Sequence, residues 1–212
     1  KMEQLEQYDE TLVALKTLHE NDKILAKFIP IKDSGNNLMP IKQENDLAFS
    51  KLTKVIIGQQ LSGFAADKIF SRFKSTLNLE YNFKAENLKS LTQIQIRDCG
   101  ISNSKAKFIL SLRDKLIMET DFFEKMENYS DDELEIELTK LKGVGKWTAK
   151  ILMISHYGRV DVFPESDGTL TKAIKLMNYN ESDVISISEK WKPYRSIASR
   201  IIWNSYDLVL IK

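Results

Sequence analysis

Hydrophobic residues along most of the chain recur at intervals of three and four positions and seldom alternate with polar ones. This spacing places apolar side chains along one face of a helix, so it favours helices over strands. Only 8 glycines and 4 prolines interrupt the pattern, which also favours helices. The sequence therefore predicts an all-α fold. The apolar sets that define its clearest helices are Leu12, Leu15 and Leu18 with Ile24, Leu25 and Phe28; Leu52, Val55 and Ile56; Ala65, Ala66, Ile69, Phe70 and Phe73; and Ala106, Ile109, Leu110, Leu112 and Leu116.

Several predicted helices begin or end at residues with a known conformational preference. The first helical region ends before Pro30, because a proline pushes the preceding residue out of the helical conformation. Residues 31 to 45 are predicted as loop, and shorter helices are predicted around 85 to 98, stopping at Gly100. A later helix is predicted to open with the acids at 131 to 133, where the helix dipole favours negative charge.

The composition is that of a soluble globular protein, with 42% hydrophobic and 29% charged residues. Apolar runs stay well short of the roughly 20 residues needed to cross a bilayer. The first residues, Lys1 to Leu5, lack the basic and then apolar profile of a signal peptide. We therefore expect no membrane partner and a cytoplasmic location, or a nuclear one in a eukaryote.

Cysteine and histidine are too scarce to build a metal centre. Cys99 is the single cysteine, which excludes an intramolecular disulfide, a Cys-rich zinc site and a four-Cys iron–sulfur cluster within this chain. The two histidines, His19 and His156, are not spaced as metal ligands. We therefore expect no metal held by side chains and no cofactor.

Charge is nearly balanced overall but unevenly distributed. The chain has 31 Lys and Arg against 30 Asp and Glu, a net charge of +1, which argues against nucleic-acid binding through bulk positive potential. Residues 119 to 137 hold nine acids and one lysine, whereas residues 138 to 175 hold seven basic residues and three acids. The second segment could attract phosphate, although either segment could also be a solvated helix face.

Two glycines flank a valine at a predicted helix start, in the segment Leu141-Lys142-Gly143-Val144-Gly145-Lys146-Trp147-Thr148-Ala149. Glycine permits a positive φ and lets a phosphate approach the backbone, while the amides and positive dipole end of the following helix attract the anion. Lys146 adds a cation. The alternative, taken from these residues alone, is an ordinary helix connection in which the glycines serve only the turn.

Four further stretches accompany this hairpin in a fixed order, and the five together cover roughly residues 47 to 205. Their order resembles the helix-hairpin-helix superfamily of base-excision DNA glycosylases, and within it the DNA-3-methyladenine glycosylase II type, which removes alkylated purines. The stretches that carry the resemblance besides the hairpin are Gly58-Gln59-Gln60-Leu61-Ser62; Ile96 to Ile101 with Lys105-Ala106; Gly158 to Asp167; and Trp191 to Ser196 with Ala198 and Trp203.

The resemblance implies a two-lobed helical fold with the active-site cleft between the lobes. It implies a single glycosylase module over residues 1–212. One lobe would span about 47–160 and include the hairpin at 141–149, and the other would combine about 1–46 with 161–212.

Cleaving the bond between a base and its deoxyribose develops positive charge on the sugar. A fixed carboxylate near the anomeric carbon stabilises that charge and can orient or deprotonate the attacking water. The resemblance assigns this role to Asp167, which follows Phe163-Pro164 and precedes a predicted helix. From the residues alone Asp167 could instead be an N-cap. Glu165 and Asp161 are the nearby rivals, and both are expected to face solvent.

One position decides the reaction type. Bifunctional members of the superfamily carry a lysine two residues after the second hairpin glycine, where its amine attacks the sugar. That position is Trp147 here, and the adjacent Lys146 is rotated by about 100° along the helix. The resemblance therefore implies a monofunctional enzyme that uses water and does not cut the strand.

The base pocket and the DNA contacts are also implied by the resemblance. Trp147 and Trp203 would wall the pocket, because indole faces attract a cationic alkylated purine, although either could be a core residue, as we expect Trp191 to be. Gln60 or Leu61 would fill the gap left by the flipped base, unless both pack inside. A monovalent cation at the hairpin backbone is a further implication. The residues implied to grip a phosphate are Gly143, Val144, Gly145, Lys146 and Thr148.

Together these features predict a monofunctional glycosylase that flips out and hydrolytically excises alkylated purines of the 3-methyladenine type. Its partner would be double-stranded DNA, it would act as a monomer in base excision repair, and its product would be an abasic site. The alternatives are a non-catalytic helix-hairpin-helix DNA-binding or damage-sensing protein, and a glycosylase for other damaged bases. An intact Asp167 favours the enzyme.

Overall fold

The computed structural model describes residues 2–30, 38–79, 82–181 and 183–211, with side chains from residue 10 onward. Within these ranges all regular structure is helical and no strand occurs, so the all-α prediction is confirmed. The α-helices of the described ranges are α1 (Met2–Asn21), α2 (Ala48–Gly58), α3 (Gly63–Thr76), α4 (Gln93–Asp98), α5 (Asn103–Met118), α6 (Phe122–Lys125), α7 (Asp131–Thr139), α8 (Lys146–Ser155), α9 (Gly168–Leu176), α10 (Val184–Ser188) and α11 (Arg195–Asp207). Short 3₁₀ helices occur at Leu25–Phe28, Asn45–Leu47, Ala85–Leu88 and Glu189–Trp191.

The first helical region is divided, whereas the apolar spacing predicted that it would continue to Pro30. Helix α1 ends at Asn21, and the segment after it forms the 3₁₀ helix Leu25–Phe28. The cause is the side chain of Asp22, whose Oδ1 accepts the N–H groups of Ile24 and Leu25 at 2.9 and 3.0 Å. An aspartate that bonds to amides further along offers the backbone an alternative to the helix.

Other predicted boundaries are close to the observed ones. Helix α7 begins at Asp131 as predicted, behind a capping box in which Ser130 and Glu133 each bond to the other's backbone N–H. Residues 38–44 form no regular element, but Asn45 opens a 3₁₀ helix, and positions 31–37 of the predicted loop lie outside the described residues. The short helices predicted around 85 to 98 are the 3₁₀ helix Ala85–Leu88 and α4.

The chain divides into two compact units, and the first consists of residues 1–41 and 158–212. In its core, α11 packs against α9 and against the 3₁₀ helices at Leu25–Phe28 and Glu189–Trp191. Trp191 is fully buried there, as predicted, with its ring edge-on to Phe163. The core of the first unit therefore fixes the positions of α9 and α11 and of the side chains that these helices carry.

The second unit, residues 42–157, is organised around α2. This helix packs against α3, α5 and α8, and α7 packs against α8. Leu52 and Ile56 of α2 are completely buried, which agrees with the apolar spacing that predicted the helix. The loop after α2 and the glycine hairpin before α8 are both carried by this packed group of helices.

Candidate active site

Asp167 lies at the start of α9 in the first unit and caps that helix. Its Oδ1 accepts the backbone N–H of Leu170 at 2.7 Å, and its carboxylate is 8% exposed. The turn before it is fixed from inside, because Phe163 and Pro164 are buried and the Pro164 carbonyl accepts the Asp167 N–H at 2.9 Å. The carboxylate is thus held at the positive end of a helix dipole.

Trp203 of α11 makes a second bond to the same carboxylate. Its indole Nε1 donates to Asp167 Oδ1 at a distance of 3.1 Å, and its ring is half-buried against the core of the first unit. Two N–H donors, one from the backbone and one from the indole, therefore fix the orientation of the Asp167 carboxylate. Such bonds to an ionised acceptor are stronger than neutral ones.

The two neighbouring acids differ from the expectation that they face solvent. Asp161 is partly buried in an ion pair with Arg195, with 2.8 Å from Nε to Oδ1 and 3.0 Å from NH2 to Oδ2. Glu165 is half-buried. The sequence suggested solvent exposure because it gave no sign that Arg195, more than thirty residues later, returns to Asp161. The ion pair occupies both oxygens of Asp161, which leaves Asp167 as the stronger candidate.

The two hairpin glycines differ in whether the fold requires them. Gly143 has a φ of +82°, and a Cβ there would lie 2.2 Å from Cδ2 of Phe108. Gly145 has an ordinary φ of −87°, and a Cβ there would meet nothing within 4 Å. The fold therefore demands glycine at 143 but not at 145. The open space above Gly145, at the N-cap of α8, allows a phosphate to approach the backbone.

Two hairpin side chains predicted to contact DNA are turned inward. Val144 is 5% exposed and Thr148 is 2% exposed, because both lie on the side of the hairpin and helix that packs against the unit. The Thr148 hydroxyl accepts a hydrogen bond from Nε2 of Gln59 at 2.9 Å. Contact of Val144 and Thr148 with DNA stays a prediction, and the burial of both side chains leaves that contact to their backbone groups.

Lys146 is exposed on the first turn of α8 and points toward the acidic helix α7. Its Nζ lies 3.8 Å from Oε1 of Glu135, and the Nζ of Lys150 lies 3.6 Å from the other oxygen of the same carboxylate. The Lys146 side chain is 76% exposed, and an ion pair of this length at an exposed side chain is worth only about 0–1 kcal/mol, so Lys146 is able to exchange Glu135 for a phosphate. Trp147 follows it and is half-buried.

The loop between α2 and α3 exposes its tip. Gln60 adopts a positive φ of 58° and is exposed, and Leu61 is 40% exposed. The alternative that both side chains pack inside is therefore wrong. Whether either of them enters DNA stays a prediction.

Phe64 is a surface residue that the sequence analysis missed. It is 73% exposed at the start of α3, with Nζ of Lys68 4.2 Å from the centre of its ring. The signal was present in the sequence, because Phe64 falls outside the three- and four-residue spacing that runs from Ala65 to Phe73. An exposed aromatic ring beside a cation, three residues from Leu61, extends the apolar tip of the loop.

Most of the segments that form this site fall within one known protein family. A family model described as the HhH-GPD superfamily of base excision DNA repair proteins matches residues 53–194, which is more than half of the chain. The chain belongs to this superfamily. The matched segment contains the loop after α2, the glycine hairpin and Asp167, whereas Trp203 lies beyond its end. The HhH-GPD match thus covers most, but not all, of the candidate site.

Named relatives of this HhH-GPD protein agree in length and fold. DNA-3-methyladenine glycosylase 1 of Schizosaccharomyces pombe is 29% identical over 202 residues, which cover 92% of this chain and 86% of the relative. The solved structure of the Schizosaccharomyces pombe 3-methyladenine DNA glycosylase Mag1 in complex with abasic DNA is 26% identical, with a TM-score of 0.73, and the match covers 92% of this chain and 96% of that one. A DNA-3-methyladenine glycosidase from Bacillus halodurans is also 26% identical, with a TM-score of 0.70 and coverage of 93% and 90%.

The described residues of this HhH-GPD chain show no cluster of metal-binding side chains. Among the described residues, no three His, Cys, Asp or Glu side chains lie close enough together to hold an ion. The cation implied at the hairpin would have to use backbone carbonyls, but Leu141 O already accepts from Val144 N–H at 3.0 Å and Gly143 O from Gln59 Nε2 at 2.8 Å. Each carbonyl oxygen has a second lone pair, however, so these bonds do not exclude a cation there. In the part of the chain that is described, no helix has both the length and the apolar character to span a bilayer.

Proposed function

We propose that this protein is a monofunctional DNA glycosylase that excises alkylated purines from duplex DNA and leaves an abasic site. The observation that carries the proposal is the Asp167 carboxylate, held at the start of α9 by the Leu170 amide and the Trp203 indole in a base-excision fold. The similarity to glycosylases named for 3-methyladenine supports the choice of alkylated bases.

The reaction that fits this carboxylate is hydrolysis of the bond between C1′ of deoxyribose and the purine nitrogen. As that bond breaks, its electron pair leaves with the base and positive charge develops on the sugar. The negative Asp167 stabilises this charge and orients a water molecule, whose oxygen bonds to C1′ while its proton passes to the carboxylate. The orientation set by Leu170 and Trp203 keeps the carboxylate in one position while the charge forms.

An alkylated purine suits tryptophan in two ways. Alkylation at a ring nitrogen gives the base a positive charge, which weakens the glycosidic bond. The same charge is attracted to an indole face by about 0.5–2 kcal/mol. Trp147 and Trp203 are both half-buried, so each keeps part of its ring accessible, and we assign both to recognition of the base.

The hairpin supplies the contact to the DNA backbone. A phosphate near Gly145 would lie against the first turn of α8, where amides lack acceptors within the helix and the dipole is positive. Lys146 adds a mobile cation. At the tip of the loop after α2, Gln60 or Leu61 fills the space left by the base, and Phe64 supports them with a flat apolar surface.

The monofunctional assignment rests on the position that follows Lys146. Trp147 stands where a bifunctional enzyme needs its amine nucleophile, and the Lys146 amine is directed toward Glu135. The proposal includes a monomeric enzyme in the compartment that holds the DNA, the cytoplasm or, in a eukaryote, the nucleus. It includes no cofactor beyond the cation implied at the hairpin, and no step depends on that cation.

The test is to incubate the protein with methylated duplex DNA and identify the released bases by chromatography and mass spectrometry. We expect release of alkylated purines from an intact strand that breaks only when base is added. Borohydride should trap no covalent adduct. Lys146→Met serves as a control for phosphate binding, because it should weaken DNA binding and leave the product unchanged.

The outcomes separate the candidate functions. DNA binding without release of any base would favour the non-catalytic reading. Release of oxidised or mismatched bases, with alkylated purines left in the DNA, would show that the enzyme acts on a different class of damaged base. Strand cleavage without base, together with a trapped adduct, would contradict the monofunctional assignment.

A further inference from the structure

Lys105 of α5 forms hydrogen bonds with backbone carbonyls at the C-terminal end of α2. Its Nζ donates to the carbonyls of Ile57 and Gln59, both at 2.7 Å. The last carbonyls of a helix lack partners within it and carry partial negative charge, so an ammonium group there is favourable. Partial burial of the side chain lowers the pKa of Lys105 below its ordinary value.

Gln59 connects the same point to the hairpin. Its side-chain Nε2 donates to the carbonyl of Gly143 at 2.8 Å and to the hydroxyl of Thr148 at 2.9 Å. One amide group therefore uses both of its protons to join the hairpin turn and the first turn of α8. The Gln59 backbone carbonyl is one of the two groups that Lys105 holds, so the contacts run from α5 through Gln59 to the hairpin.

The position of Gln59 makes this chain of contacts relevant to the reaction. Gln59 immediately precedes Gln60 and Leu61, the exposed tip of the loop, and Gly143 immediately precedes Val144 and Gly145 of the hairpin. Two hydrogen bonds from the Gln59 side chain thus join the two surfaces that we assign to DNA, and two more from Lys105 attach Gln59 and the end of α2 to α5.

We propose that Gln59 and Lys105 are positioning residues that fix the loop tip at a set distance from the phosphate-binding hairpin, so that inserting the tip extrudes the damaged base. This inference rests on the proposed function. Neither residue touches the base or sugar; both act through the loop. Extruding a paired base costs a few kilocalories per mole, and that cost is smaller for a base that is already unpaired. We call the contacts of Gln59 and Lys105 with Ile57, Gly143 and Thr148 the brace. Loss of the brace should therefore slow base release most when the damaged base is paired.

The test uses Gln59→Leu and Lys105→Met, which remove the donors and keep similar side-chain lengths. Single-turnover release of an alkylated purine is measured from a paired duplex and from the same duplex with an abasic analogue opposite the lesion. We expect both variants to be about tenfold slower on the paired duplex and within about threefold of the native protein on the unpaired one. Lys105→Arg, which retains donors to the carbonyls, should recover most of the loss.

Matched controls separate positioning from general damage to the unit. Gln95→Leu removes a similar side-chain contact, the bond from Thr92 N–H to Gln95 Oε1, at the start of α4. Lys107→Met changes an exposed lysine on the same helix as Lys105. Both controls should release the base at the native rate from both duplexes.

A second readout does not require catalysis. The fluorescence of 2-aminopurine beside the lesion rises when the base stack opens, and it should rise less with Gln59→Leu and Lys105→Met than with the native protein. An equal loss of release on both duplexes, or native behaviour of both variants, would overturn the brace. If the native protein releases no base from either duplex, the proposed function fails. The fluorescence measurement still tests the positioning role in that case, because equal opening of the base stack by the native and variant proteins would contradict it.

Discussion

Two aspartates of the first unit, Asp22 and Asp167, occupy similar surroundings. Each is nearly buried, at 4% and 8% exposure, and each accepts backbone N–H groups at the start of a helical turn. Each also accepts an indole N–H, Asp22 from Trp191 at 2.8 Å and Asp167 from Trp203 at 3.1 Å. Burial and hydrogen bonding therefore do not by themselves separate a structural carboxylate from a reactive one.

The two carboxylates differ in the donors that are seen to reach them. Asp22 accepts two backbone amides at Oδ1, and Tyr179 and Trp191 both donate to Oδ2. Burial, and then the bond to Asp22, raise the pKa of the Tyr179 phenol above its ordinary value, so it stays a neutral donor. At Asp167 the Leu170 and Trp203 bonds converge on Oδ1, and the adjoining Gly168 is exposed. Four donors therefore hold Asp22 in the core of the first unit, and we assign Asp167 to the reaction from its place in the matched HhH-GPD segment.

The largest expected effect is that of Asp167→Asn on the rate. Asparagine keeps an oxygen for the Leu170 and Trp203 bonds and is also a good N-cap, so the start of α9 is retained. It removes the negative charge that we assign to the sugar, and single-turnover release of the alkylated base should fall on the order of 100- to 1,000-fold. DNA affinity, measured by fluorescence anisotropy, should change little. A rate near that of the native protein would remove Asp167 from the reaction.

The same substitution at Asp22 should act on stability. Donors occupy both oxygens of Asp22, so whichever way an asparagine amide is turned, two of them face its NH2 group. Stranding buried donors costs about 1–3 kcal/mol each, and we expect Asp22→Asn to lower the free energy of unfolding by about 2–3 kcal/mol. Urea unfolding measures this change. Unaltered stability would show that the four bonds at Asp22 do not hold the end of α1.

Low pH should lower the stability of the protein through His156 of the second unit, which adds to the stability effect expected at Asp22. Burial lowers the pKa of His156 to about 4, against about 6.5 when unfolded, because its ring is enclosed and the Lys51 ammonium disfavours a second positive charge. Above pH 6.5 the histidine is neutral in both states, and the protein keeps its full stability. As the pH falls from 6.5 toward 4, the unfolded state binds a proton that the folded state does not, so stability is lost. Between pH 7 and 5 the loss should be about 2 kcal/mol. His156→Gln should remove this part of the pH dependence; an unchanged slope would assign it to other groups.

The smallest expected effects come from the two tryptophans. Trp203→Phe keeps a ring but removes the N–H that orients Asp167, so release should slow by about tenfold, equivalent to about 1.4 kcal/mol. Trp191→Phe removes the corresponding bond at Asp22 and should lower the free energy of unfolding by about 1–2 kcal/mol without slowing release. Single-turnover base release and urea unfolding, each measured for both variants, test this expectation. Identical behaviour of the two variants would mean that the indole bonds do not distinguish the sites.

The sequence predicted much of the fold, because helices follow from local spacing. Apolar residues at three- and four-residue intervals located α2, α3 and α5, and the acids at 131 to 133 located the start of α7. The division after α1 was missed because it depends on Asp22, whose role as a buried acceptor is completed by Tyr179 and Trp191 far along the chain.

The candidate site was predicted less completely, for the same physical reason. Motif resemblance pointed to Asp167, but the indole bond from Trp203 follows only from the packing of α11 against α9. The burial of the Val144 and Thr148 side chains was not predicted, because a linear motif does not reveal which side of a hairpin packs inward. The contacts of Gln59 and Lys105 join residues more than forty positions apart and leave no local pattern.

The most direct test of the account compares Asp167→Asn with Asp22→Asn on one methylated duplex. Single-turnover base release is measured above pH 6.5, at a temperature where both variants are folded to the same extent. The account predicts that Asp167→Asn is at least about 100-fold slower than the native protein and that Asp22→Asn stays within about threefold of it. Equal rates for the two variants, whether both fast or both slow, would contradict the assignment of Asp167 to the reaction and of Asp22 to the core.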